Sequence, residues 1–343
     1  MTDNIKNFGK KNIFITGRAT TGLYLIFLKE KIRDKKVLFP ANICYAPVFA
    51  AVFAGNRPVF VDIADWANTS LNKIKACIDD NVACIVLPHM YGKVVKEIED
   101  IADFCEERGI LLVEDCASAL GATYDGKPVG SFGKYSIFSF GYSKIIDVGL
   151  GGIIASDEDL SCFEELQKDF PLWTKDKEDS LGMFSKLYRV MRNSKDNSLL
   201  HKIYKSLPNY MNDYFIYQIS GNEKQRVIDS ITTIEYEKER RWVIYDNLKN
   251  RIKNKTFEIC NYEKGDIPWR FSFLYKGSKE KFVSLMLEKS VPISDWYPFI
   301  GTMFGEDNKL YVNTVKIEKI IYNIPLVVNA EWIELLEKCN NMD

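Results

Sequence analysis

Residues 110–155 read ILLVEDCASALGATYDGKPVGSFGKYSIFSFGYSKIIDVGLGGIIA. Within them Ile110–Asp115, Tyr135–Phe140 and Gly152–Ala155 are short apolar runs bounded by Asp or Gly. Such runs, with turn residues at their ends, read as buried strands. The same rhythm holds upstream at Val37–Pro40, Val59–Ile63 and Ala83–Pro88. Helical patterns lie between, near Thr20–Arg33, Tyr45–Ala54, Leu71–Ile78 and Glu97–Arg108. Strand alternating with helix requires crossover connections. The expectation is therefore an α/β fold with a mostly parallel central sheet covered by helices. In such sheets ligands bind outside the carboxyl ends of the strands.

The rhythm weakens beyond about residue 157. Residues 171–225 are rich in Lys, Asn, Ser and aromatics. Phe184–Tyr204 reads as a basic amphipathic helix, either a solvated cover or subunit interface, or a surface for a membrane or an anion. A long helical stretch, Lys224–Lys253, leads to strands at Phe271–Tyr275 and Val291–Ser294 and a helix at Lys279–Lys289. This predicts a large domain over residues 1–235 and a smaller α+β domain over 236–343.

Composition narrows the function. With 343 residues, 46% hydrophobic and 27% charged, the chain can bury a core and stay soluble. A formal net charge of -1 argues against nucleic acid as the main partner. The eight cysteines have no C-x-x-C spacing and there are two histidines, so no metal site is expected. Scattered thiols suit a reducing cytoplasm. Met1–Lys11 is polar and lacks the apolar core of a secretory signal, and no apolar run has membrane-spanning length.

Three segments belong on the ligand side of the sheet. Glu114-Asp115-Cys116-Ala117-Ser118 ends a very apolar strand. A carboxylate there is poorly solvated and calls for a cation, although a helix cap or structural ion pair accounts for Asp115 equally well. Ser139-Phe140-Gly141-Tyr142-Ser143-Lys144, followed by Gly149-Leu150-Gly151-Gly152, presents a lysine on a small flexible turn. A lysine there can form a Schiff base if its surroundings favour the neutral amine; taken alone, it reads as a solvated charge. Thr16-Gly17-Arg18-Ala19-Thr20-Thr21-Gly22 opens a helix, where free N–H groups and Arg18 can meet an anion, or simply cap the helix. Neither glycine-rich nucleotide motif is present. Together the segments are the parts that a pyridoxal phosphate site requires. Asp115 would keep the ring nitrogen protonated, Lys144 would hold the cofactor and move a proton, and Ser139 would bond the phosphate. Arg240, Arg270 and Trp296 are candidates for substrate contact, with a structural role as the alternative for each. His89, at a strand end, either faces the site or is a hydrogen-bonded core histidine.

In order and wording these motifs resemble the DegT/DnrJ/EryC1/StrS family of sugar aminotransferases. The likeness runs through Gly17-Arg18-Ala19, Phe39-Pro40-Ala41, Ala54-Gly55-Asn56-Arg57-Pro58-Val59-Phe60-Val61-Asp62-Ile63 and Pro88-His89-Met90-Tyr91-Gly92. It is strongest from Val113-Glu114-Asp115 through Gly126-Lys127-Pro128-Val129-Gly130-Ser131-Phe132-Gly133 to Lys144 and Gly151-Gly152. It is specific over residues 12–157 and thinner at Arg240-Arg241, Tyr245, Leu248, Trp269-Arg270-Phe271 and Ile324-Pro325-Leu326. The resemblance implies the aspartate-aminotransferase type I fold, a homodimer with active sites at the subunit interface, and pyridoxal phosphate as cofactor. It implies transfer of an amino group, with glutamate as donor, to a keto group of a nucleotide-linked deoxysugar for a surface polysaccharide, lipopolysaccharide or other glycan. A sugar dehydratase and an inactive nucleotide-sugar-binding homologue are the alternatives. The family's dehydratase branch replaces the lysine by histidine, whereas Lys144 is kept here.

By position, the resemblance makes Lys144 the Schiff-base lysine and Asp115 the partner of the pyridine nitrogen. It places the phosphate on Ser139 and the backbone of Gly17, Arg18 and Ala19. Ser118 stands where the family usually has Gln or His near the cofactor's 3-hydroxyl. Cys44 stands where an aromatic ring usually stacks on the cofactor, with Tyr45 next to it as the candidate substitute. Gln218-Ile219-Ser220 falls where an Asn from the neighbouring subunit usually reaches the phosphate.

Overall fold

A computed structural model describes residues 6–339, except 178, 180, 181, 185, 186, 189–201, 203–205, 207–210 and 254. Most of the helix expected over Phe184–Tyr204 lies outside the described residues.

The central sheet holds β1 (Asn12–Thr16), β2 (Lys36–Pro40), β3 (Arg57–Val61), β4 (Val82–Pro88) and β5 (Leu111–Asp115). After a short hairpin of β6 (Thr123–Tyr124) and β7 (Lys127–Pro128), it is completed by β8 (Tyr135–Ser139) and β9 (Gly152–Ser156). The strand order is β1-β9-β8-β5-β4-β2-β3. β8, β5, β4, β2 and β3 run parallel, whereas β9 is antiparallel to both β8 and β1. The parallel strands carry apolar side chains on both faces because helices cover both faces. Val37, Leu38 and Phe39, on successive sides of β2, are all fully buried. No helix lies between β8 and β9 among the described residues, so the chain returns antiparallel rather than crossing over.

The helix Ala19–Lys29 packs against β9. Its Gly22 approaches so closely that a Cβ would lie 3.0 Å from Ile154 Cγ1. The helix Ile98–Arg108 buries Ile98, Ile101, Phe104 and Cys105 and ends on Gly109 in the left-handed conformation. Glycine reaches that φ without the penalty a Cβ would bring.

A second, antiparallel sheet orders β10 (Phe257–Ile259), β11 (Phe271–Tyr275) and β12 (Ile321–Ile324). Its core joins Phe271, Phe273, Tyr275 and Tyr322 to Ile244, Tyr245 and Leu248 of the helix Ile234–Arg251. Two expectations change here. The helical stretch at Lys224–Lys253 is two helices, Gly221–Ser230 and Ile234–Arg251, joined by a 3-10 turn at Ile231–Thr233. That turn is Ile-Thr-Thr, whose β-branched side chains crowd a helix. Val291–Ser294 is not a strand: Ser294 alone bridges Asn323, and Pro292 has no N–H for a ladder.

Candidate active site

The carboxyl ends of the sheet open on a cavity of about 820 Å³. Of the residues singled out in the sequence, Arg18, Ala19, Tyr45, His89, Asp115, Ser118, Ser139, Lys144, Arg270 and Trp296 line it. Gly17 and Arg240 are not among the lining residues.

Lys144 follows β8 on the loop to β9, where Ser143 holds a positive φ of 62° and donates its N–H to Asp147 Oδ2 at 2.7 Å. Lys144 Nζ lies 3.5 Å from Ser118 Oγ. Burial holds its amine below the ordinary lysine range; Cys44 and Asp115 oppose that shift, and Arg270 and Arg18 add to it. Asp115 ends β5 and accepts the Ala117 N–H on Oδ1 at 3.0 Å. Burial pushes its carboxyl up, and Lys144 and the Ala117 N–H act against the rise. A low dielectric disfavours both charges, so each group moves toward its neutral form.

Glu114 is fully buried and accepts N–H bonds from Gly130 at 2.8 Å and from Phe132 and Gly133 at 2.6 Å. Burial alone would raise its pKa, but the bonds from His89 and these amides outweigh it and hold the carboxyl low. His89 Nδ1 accepts the Val95 N–H at 3.1 Å, which leaves Nε2–H to donate to Glu114 at 3.2 Å. His89 is thus a hydrogen-bonded core histidine, with both nitrogens engaged, that also lines the cavity. Its backbone N–H donates to the Asp115 carbonyl at 3.2 Å.

At the start of the helix Ala19–Lys29, Arg18 is the cap residue and makes no side-chain capping bond. Thr16 Oγ1 donates to the Arg18 carbonyl at 2.7 Å. Behind it, the Gly17 carbonyl accepts the Gly151 N–H at 2.9 Å, and a Cβ on Gly17 would lie 2.1 Å from the Tyr217 carbonyl oxygen. Ser139 Oγ accepts the Gly141 N–H at 3.4 Å. Gly17, Arg18, Ala19 and Ser139 therefore meet where β1, β8 and β9 adjoin.

Tyr45 packs in an aromatic cluster with Phe49, Phe184, Tyr188, Phe215 and Trp296. Cys44 also lines the cavity; burial raises its thiol, and Lys144 and Asp115 both act on it. Arg270 lays its guanidinium 4.9 Å from the Trp269 ring centroid and donates to Ser294 Oγ at 3.2 Å. Arg240 instead donates to Glu237 and to the Leu326 carbonyl, which corrects the expectation of substrate contact there.

Two residues beyond the sequence-derived set shape the site. Arg241 is buried and donates to the Lys144 carbonyl at 3.2 Å and the Ile145 carbonyl at 2.9 Å. Trp269 Nε1–H donates to the Ser143 carbonyl at 2.6 Å. Both partners are backbone carbonyls remote in sequence, so no local pattern marks these residues.

Comparison with known proteins finds likeness to the same family over the first half of the chain. Residues 5–167 match the model of the DegT/DnrJ/EryC1/StrS aminotransferase family. A GDP-perosamine synthase of Vibrio cholerae is 36% identical over 152 residues, 44% of this chain and 41% of that protein. A dTDP-4-dehydro-2,3,6-trideoxy-D-glucose 4-aminotransferase of Saccharopolyspora spinosa is 33% identical over 147 residues, 41% of this chain and 38% of that protein. The chain therefore spans about two fifths of the length of the curated relatives it matches. The crystal structure of an E. coli GDP-4-keto-6-deoxy-D-mannose-3-dehydratase with bound hydrated PLP aligns at a TM-score of 0.71. That alignment has 17% identity and covers 98% of this chain and 89% of that one. The chain shares the fold of that structure, with the mostly parallel, helix-covered sheet that the resemblance implied.

Proposed function

We propose that the chain is a pyridoxal-phosphate-dependent aminotransferase that adds an amino group to a keto group of a nucleotide-linked deoxysugar, with glutamate as donor. The observation that carries this reading is the partly buried Lys144, whose amine lies 3.5 Å from Ser118 Oγ and feels the charge of Asp115 in one cavity. The site fits the cofactor's chemistry. A buried carboxylate that burial drives toward neutrality gains a reason to stay charged if a pyridinium nitrogen sits against it. A helix start without a side-chain cap offers N–H groups to a phosphate.

In this reading Asp115 holds the ring nitrogen, and Ser139 with the backbone at Gly17, Arg18 and Ala19 holds the phosphate. When bound, pyridoxal phosphate supplies an electron sink for the carbon that loses a proton. The protein does the rest. Lys144, kept below ordinary lysine basicity, is neutral in a larger share of molecules, and the neutral amine is the form that attacks a carbonyl carbon and takes up a proton at Nζ. Ser118 Oγ gives that amine a fixed hydrogen-bond partner. Arg18 and Arg270 bring positive charge to the cavity for the anionic groups of donor and nucleotide sugar. Trp173, Tyr217 and Trp296 supply apolar walls that exclude water. The same reading takes residues 1–235 and 236–343 as the large and small domains, a homodimer as the working unit and the cytoplasm as its place. No helix of the described residues is long and apolar enough to cross a membrane.

The test is a visible absorbance spectrum of the purified chain with pyridoxal phosphate, before and after glutamate, alongside Lys144→Ala. A band that requires Lys144 and fades with glutamate is the expected result. No band in folded protein overturns the reading. The mass of the sugar product separates amination from dehydration: an added amine supports the proposal, and a lost hydroxyl replaces it with the dehydratase.

A further inference from the structure

We infer that Arg241 is a positioning residue whose guanidinium fixes Lys144 against Arg270 across the cavity. The geometry is a clamp. One terminal nitrogen donates to the carbonyls of Lys144 and Ile145, at 3.2 and 2.9 Å. The other donates to the carbonyls of Trp269 and Pro268, at 2.7 and 3.4 Å. The Lys144 loop and the segment that carries Arg270 are thus held by one rigid planar group.

A second tie closes the link. Trp269 Nε1–H donates to the Ser143 carbonyl at 2.6 Å, and the Trp269 ring lies under the Arg270 guanidinium. Three successive carbonyls of the lysine loop, at Ser143, Lys144 and Ile145, are therefore taken by donors that follow it by about a hundred residues or more. Within the loop itself, Lys144 N–H reaches only the Gly141 carbonyl, at 3.3 Å.

Arg241 does not line the cavity and so does not touch substrate. It is buried, and Glu237 stands 3.6 Å from its Nε, which keeps the charge compensated from the helix side. An arginine suits the place because its two terminal nitrogens each serve a separate pair of carbonyls, whereas a lysine presents a single point of charge. Reactive groups must be held within a fraction of an ångström for full effect, which gives such a clamp its value.

The inference rests on Lys144 being the cofactor lysine only for its effect on turnover; the clamp itself is testable without cofactor. The full chain, freed of small molecules, is compared with Arg241→Met, Arg241→Lys and Trp269→Phe by backbone hydrogen exchange. The pH dependence of Lys144 reductive methylation is read by mass spectrometry on the same proteins. In Arg241→Met the amides of residues 141–149 should exchange about tenfold faster or more while those of β4 keep their rate. Lys144 should then titrate closer to an ordinary exposed lysine. Arg241→Lys should fall between, and Trp269→Phe should loosen the loop less than Arg241→Met does. Unchanged loop exchange and unchanged Lys144 titration in folded Arg241→Met overturn the inference, as does an equal acceleration in β4. If Arg241→Met does not fold, Arg241→Lys decides by the same two readings. Loss of the visible band in the wild-type chain would fail the aminotransferase reading while leaving the exchange result standing, so the two failures are distinguishable.

Discussion

The two sides of the cavity are built differently. Residues 12–157 contribute side chains that line the cavity, Asp115, Ser118, Ser139 and Lys144, each at or just beyond a strand end. The region from Ile234 to Ile324 contributes Arg241 and Trp269, which act through backbone carbonyls of the first region, and Arg270, which enters the cavity itself. On the reading proposed above, one side supplies reactive groups and the other mainly supplies the restraint that keeps them in place. Reactive groups demand particular side-chain types, whereas restraint demands only a donor at the right point in space.

The contrast can be broken by comparing losses on the two sides. Asp115→Asn removes the buried negative charge while keeping its shape. Turnover should fall on the order of 10²–10³-fold, measured by steady-state kinetics with saturating cofactor. Arg241→Met should cost less than this; if it costs more, the division between reactive and restraining sides is wrong. Glu114→Ala probes restraint within the first region. Three backbone N–H groups and the His89 imidazole would lose their anionic acceptor, so stability should drop by about 3 kcal/mol, read from the urea midpoint. Because the folded state holds Glu114 low, its contribution is present above the ordinary carboxylate range and is lost as pH falls through the folded value. The variant should therefore show a flatter acid limb.

Gly152→Ala tests the seam where β1, β8 and β9 adjoin. A Cβ there would lie 2.3 Å from Ala19 N and 2.3 Å from the Arg18 carbonyl carbon, both backbone atoms. The expected cost is about 1–3 kcal/mol, together with weaker cofactor retention in equilibrium dialysis. The smallest effect is expected at Glu158, held down to about 2 first by Lys29, then by Tyr135 and Lys134. Its contribution is present above its ordinary value of 4.5 and is lost between there and about 2. Glu158→Gln should flatten the stability–pH curve only in that window, by less than about 1 kcal/mol, because the group is partly exposed.

The same contrast governs what the sequence discloses. β2, β4, β5 and β8 are legible because parallel strands buried on both faces must be short continuous apolar runs with turn residues beyond them. The placing of Lys144 and Asp115 at one cavity is legible because each follows a buried strand on the same side of the sheet, although neither residue taken alone points there. The antiparallel direction of β9 is not, since an apolar run carries no sign of direction. The break at Ile231–Thr233 is hidden because one helical period continues on both sides of it. Tyr45 illustrates a subtler limit: position places it at the cavity, but only the packed structure shows its ring within an aromatic cluster that includes Phe184 and Phe215. Arg240 and Arg241 are adjacent and chemically identical in the sequence, yet one turns to Glu237 and Leu326 and the other to the lysine loop.

The antiparallel pairing of β8 with β9 has a further consequence. Ser139 and Gly152 are directly paired, so the excursion that carries Lys144 leaves the sheet and returns to it at neighbouring points. Residues 140–151 therefore behave as a cassette mounted on a closed hairpin. A change in their length would leave the register of β8 and β9 in place, so it is the ties to Arg241 and Trp269, and not the sheet, that set the conformation of this loop.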